Sequence, residues 1–204
     1  MDLFSLFRRH PPIADLAALA EFIDENAAFV VQKGIYEYSR ARAGHYAKVM
    51  FREESFVHAA EQSRWRAFPL GLAMVTELVE GILSRQDGRD RRLRLDALSE
   101  VVLAVFDRYP VPAAIGEPAW SAAREELARR LSLIALHPPK WAKDVPEPLA
   151  ETYFNLMPIH EQLRKPDYPA IRNYLRVTMC NIHDELTKRM DVPAIADSLS
   201  MQAG

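Results

Sequence analysis

Hydrophobic positions recur every three and four residues over most of this chain, the spacing that sets them on one face of a helix. Ile13, Leu16, Ala20, Ile23, Ala27, Val30 and Val31 form the first stripe, with Pro11 and Pro12 setting its start and Gly34 a stop or weak point. The helix continues through Tyr36 and Tyr38 to Gly44. A second helix is predicted from His45 to Arg66 on Tyr46, Val49, Met50, Val57 and Ala60, with a break at Pro69. The third, Leu70 to Leu83, is apolar over most of its girth, the mark of a central buried helix.

A polar loop around Gly88 precedes a fourth stripe of Leu95, Leu98, Val102, Val105, Phe106 and Tyr109, which stops at Pro110. Glu117-Pro118 opens a fifth helix on Trp120, Ala123, Leu127, Leu131 and Ile134. A sixth carries Leu149, Tyr153, Leu156, His160 and Leu163, bent at Pro158; a seventh runs from Pro169 to Met190. Pro193 starts a short last piece that frays from Ser198 onward.

Threonine is scarce, no long run alternates apolar with polar, and strong helix formers dominate. The fold expected is therefore all-α: a single bundle-like domain of about seven helices, with mainly antiparallel neighbours because the connections are short. Residues 1–12 read as an N-terminal arm, 13–192 as the helical domain and 193–204 as a C-terminal tail. A Pro-rich sub-boundary falls at 137–148; it is short and contains Trp141, so it reads as packed rather than swinging.

A chain of 204 residues buries about 70% of its unfolded surface, enough to fold without metal or disulfide. Its one cysteine, Cys180, excludes an intramolecular disulfide and Cys-rich zinc sites. No stretch approaches the ~18 apolar residues that span a bilayer, and the expectation is a soluble, cytoplasmic protein with no transmembrane segment. Leu3, Phe4, Leu6 and Phe7, followed by Arg8, Arg9 and His10, suit weak peripheral contact with a membrane surface. They suit equally an arm folded onto its own core or onto a partner.

Phosphate cradles and the strand-borne serine elbow are absent from the sequence. Glu54, His58 and Glu61 share a helix face, but the Glu-x-x-His spacing of carboxylate-bridged di-iron bundles is not met. A surface ion pair between Glu54 and His58 is the plainer reading. His160 sits on the apolar stripe of the sixth helix, where a haem or metal ligand could stand, as could a hydrogen-bonded core histidine. Cys180 and His183 lie three apart and can touch, but a reactive thiolate needs an orienting group that the sequence does not supply. No catalytic residue and no cofactor are expected.

The net charge of −2 makes no general case for nucleic acid. Charge is uneven, however. Lys33 to Arg66 holds seven positive residues against four negative, and Arg85 to Arg94 holds five against two. In the first stretch Arg40, Arg42, Lys48 and Arg52 alternate with Tyr36, Tyr38 and Tyr46. In the second, Arg89, Arg91, Arg92 and Arg94 crowd one loop, a set suited to carboxylates or phosphates. The helix after that loop is acidic outside (Asp96, Glu100, Asp107), which disfavours sequence-specific DNA binding. These residues point to a non-catalytic protein-binding module, adaptor, regulator or assembly factor, acting through a basic, aromatic-rich helical face. A helical carrier or oxidase holding a metal, haem or small molecule is the alternative, and a homodimer is compatible with either.

Overall fold

The computed structural model describes residues 11–88 and 90–202, and those residues form an all-α domain. The order is α1 (Leu16–Gln32), a π turn (Lys33–Glu37), α2 (Tyr38–Ala43), a 3-10 turn and α3 (Ala47–Met50), then α4 (Glu54–Gln86). There follow α5 (Arg91–Asp107), α6 (Gly116–Leu133), α7 (Ala150–Asn155), α8 (Glu161–Arg164), α9 (Tyr168–Arg189) and α10 (Val192–Gln202).

The predicted break at Pro69 is not there. The helix continues through that residue for 33 residues, and every residue from Ala67 to Leu83 is buried. A proline costs a helix one backbone bond and a local clash; here burial on all sides of α4 outweighs that local cost. The real interruption falls earlier, at residues 51–53, where a turn separates α3 from α4. Joining the two segments also makes α4 long and apolar enough to cross a membrane by length and composition, contrary to the sequence expectation. Of that apolar window, 94% is buried inside the protein.

Five long helices, α1, α5, α6, α9 and α10, pack against α4. Gly71 lets α1 approach closely, since a Cβ there would lie 2.9 Å from the Ala27 carbonyl oxygen. At the other end of the core, Trp65, Phe68, Phe106, Tyr109 and Trp120 form an edge-to-face and stacked aromatic cluster. One continuous core runs from Ile13 to Leu199 and includes Leu131, Ile134 and Leu149 on the two sides of the proline-rich segment and Val145 within it.

The C-terminal piece does not fray at Ser198. It is helical to Gln202, with Ile195 and Leu199 fully buried. The start of the described chain meets the junction of α9 and α10: Ile13 donates its N–H to the Arg189 carbonyl at 2.8 Å and accepts one from Asp191 at 2.9 Å. The sixth predicted helix is in fact two short ones, α7 and α8. Residues 156–160 between them are not helical, and Pro158, which has no backbone N–H to give a helix, lies among them.

Candidate functional site

Three surfaces hold the residues that the sequence singled out. On the first, α2 and α3 pack chiefly on each other and on the π turn. Two bonds tether α2 to the distant α8–α9 junction. The Tyr38 hydroxyl donates to Asp167 at 2.9 Å, and Arg42 donates to the Leu163 carbonyl at 2.7 Å while its Nε lies 3.3 Å from Asp167. Burial and the bond to Asp167 push the Tyr38 hydroxyl up to about 12. Arg42 is therefore a tether rather than a free cation. Arg40 keeps only a loose pair with Glu37 at 3.6 Å and sits over the Phe51 ring, while Lys48 and Arg52 have no ion pair among the described residues. Between these cations Tyr46 is 66% exposed and Val49 58%, with Val57 further along α4 also exposed. Arg40 also lines an open groove with Phe29, Lys33 and Tyr36.

The second surface, the arginine loop, does not form the anion site its composition announces. Arg94 is buried, donating to Asp87 and to Ser84, each at 2.9 Å. Arg91 grips Glu80 with Nε at 2.7 Å and Nη2 at 3.1 Å, and donates to the carbonyls of His137 and Ile134. Its pKa is raised by the bond to Glu80. Both guanidiniums are thus spent inside the fold; Arg92 alone is shown exposed, and Arg89 lies outside the described residues.

The third, the proposed ligand set, is not assembled. Glu54, His58 and Glu61 are all exposed, and no ion pair joins Glu54 to His58 among the described residues; the His58 ring nitrogen is 3.1 Å from the Gln62 amide. His160 is not on an apolar stripe. It is exposed and caps α8, its Nδ1 accepting from the Gln162 N–H at 3.4 Å, because the chain has already left α7. Among the described residues no group of three or more His, Cys, Asp or Glu is placed to hold a metal. Leu3, Phe4, Leu6 and Phe7 lie outside the described residues.

Two features escaped the sequence reading. Glu77 and Glu80 stand on the buried helix α4, three residues apart, and each draws cations inward: Lys140 lies 2.8 Å from Glu77, with the His137 ring 3.6 Å away. Two carboxylates in the largely apolar 70–83 segment are the available signal. The second is Trp141. It is not packed, as expected of the proline-rich segment, but 70% exposed under the Arg85 guanidinium. Arg85 donates to the Lys140 carbonyl at 2.6 Å, so the segment is held by its backbone and the indole is left outside. Trp141 borders a cavity of about 390 Å³ that also brings Cys180 and His183 to one place, together with Ile82, Arg85 and Lys143.

Comparison with protein-family models, with curated proteins and with solved structures returns no match to this chain.

Proposed function

We propose that this chain is a non-catalytic helical module that binds another protein through the face made by α2, α3 and the start of α4. One observation carries the reading. Tyr46 and Val49 stand in solvent on the same short stretch as two cations, Lys48 and Arg52, that have no ion partner among the described residues. An aromatic ring and a branched aliphatic side chain gain from being covered, and free cations gain from carboxylates brought to them. The partner that fits is an acidic amphipathic segment. Arg42 and Tyr38 serve this face by fixing its position rather than by touching the partner.

A photo-crosslinking side chain at position 46 tests the reading. Irradiation in the native cell extract should enrich one protein through an acidic, amphipathic peptide. Lys48→Glu with Arg52→Glu should cut that yield more than tenfold, while circular dichroism stays unchanged. Diffuse labelling with no enriched protein, or yield indifferent to the charge reversal, overturns it. A self-crosslink together with a doubled mass in solution would reassign the face to a second copy of this chain.

A further inference from the structure

We infer that the cleft between the C-terminal turn of α4 and α9, bordered by Trp141, binds a small planar aromatic carboxylate. The space is about 390 Å³, within the range of small-molecule pockets and enough for two fused rings. Its walls are mostly apolar, with Ile82 on one side and Cys180 on the other.

The planar part follows from Trp141. A 70% exposed indole at the mouth of a cavity pairs with no other aromatic ring among the described residues. Among the described residues the group over the indole is the Arg85 guanidinium, 5.4 Å from the ring centroid. A flat ring laid against the indole removes apolar surface from water on both partners and gains the preferred stacked geometry.

The negative charge follows from Arg85. Its hydrogen bonds go to two backbone carbonyls, Gly81 at 3.3 Å and Lys140 at 2.6 Å, and no carboxylate among the described residues pairs with it. Its charge is therefore not neutralised, and donors of its planar fork remain for a carboxylate. Lys143 lies 3.3 Å from Asp144, and the Asp184 carboxylate, also on the lining, is 71% exposed, where water screens its charge. Arg85 is left as the lining cation that no carboxylate among the described residues pairs with, and it calls for a single negative charge. The two carbonyl bonds hold the guanidinium in place before any ligand arrives, which lowers the ordering cost of binding.

The chain supplies its own reporter, because its only cysteine lines this cavity. The probe is 2-naphthoate, titrated into the full chain by calorimetry, with alkylation of Cys180 by iodoacetamide followed by mass spectrometry. One-to-one binding with a Kd below 1 mM is expected at roughly the affinity of a modest pocket, with alkylation slowed at least threefold at saturation. Trp141→Ala should weaken binding at least tenfold and Trp141→Phe less than threefold, since the ring platform is what matters; the position is exposed enough for both variants to leave folding intact. 2-Naphthalenemethanol removes the charge and 4-cyclohexylbutanoate removes the flat ring, so each should bind at least tenfold more weakly. No heat with unchanged alkylation, undiminished binding in Trp141→Ala, or equal binding of either control overturns the inference.

Discussion

Single residues decide what packs against the end of the first helix. At the π turn Gly34 presents no side chain, and a Cβ there would lie 2.1 Å from the Tyr153 hydroxyl and 3.0 Å from Tyr174. That space lets both tyrosines reach the Val30 carbonyl, Tyr153 at 2.9 Å and Tyr174 at 3.0 Å. Gly34→Ala should therefore cost about 2–3 kcal/mol by overpacking. Adding Tyr153→Phe should cost less than its own single effect, because the clashing oxygen is gone. Urea unfolding of both singles and the double closes the cycle; simple additivity would show that the two residues do not compete for the same space. Tyrosines also set the behaviour in alkali. Burial raises Tyr153 well above its usual value and lifts Tyr174 to about 12; burial, with bonds to Asp167 and Asp24, lifts Tyr38 and Tyr109 to about 12. A hydroxyl with a raised folded pKa holds its proton after the unfolded chain has lost it, so its stabilisation is complete below pH 10 and is lost as pH rises toward 12. The urea midpoint should stay level from pH 8 to 9.5 and fall from pH 10 upward, with a shallower fall in Tyr109→Phe.

At the scale of elements, the carboxylates of α4 are what hold the far loop. Glu80 is 99% covered and receives Arg91, which in turn pins the carbonyls that end α6. Glu80→Leu leaves that guanidinium without its counter-charge and should destabilise the domain by about 3 kcal/mol. Chemical denaturation measures it, and a loss under about 1 kcal/mol would mean that solvent replaces Glu80 at little cost. The last helix is likewise part of the core. Leu199→Ala should cost about 2–4 kcal/mol, readable as a lower urea midpoint; an unchanged midpoint would restore the frayed end that the sequence led us to expect.

At the scale of the whole molecule, one helix organises the rest. Each long neighbour meets α4, so α4 is buried around its full girth from Ala67 to Leu83. The outer shell then divides by what its cations have found inside. Arg42, Arg91 and Arg94 have internal partners and hold the fold together. Lys48, Arg52 and Arg85 have no carboxylate partner among the described residues and face outward or into a cavity. The two functional readings rest on that second set. They are separable, because charge reversal at Lys48 and Arg52 should leave naphthoate binding unchanged, and Trp141→Ala should leave crosslinking at position 46 unchanged.

The periodicity of apolar residues determined by itself that the chain is all-α and that the 70–83 segment lies at its centre, because burying a stripe of side chains depends mainly on spacing. Composition marked the basic, aromatic-rich stretch from Tyr36 to Arg52. Only the tertiary structure decided that Pro69 lies within a helix, since burial of α4 on all sides overrides a local propensity. It alone separated free arginines from committed ones: residues eleven or 121 positions apart, as Glu80 is from Arg91 and Leu163 from Arg42, supply the partners. His160 looked like a core residue because its spacing from Leu156 was helical, and it became a cap once the chain left the helix before it. The proline-rich segment reads as packed because it contains Trp141, yet the Trp141 ring is exposed and Arg85 holds the segment by the Lys140 carbonyl. A sequence pattern carries the faces of elements, whereas charge pairing and the exposure of one ring depend on which elements come to lie beside each other.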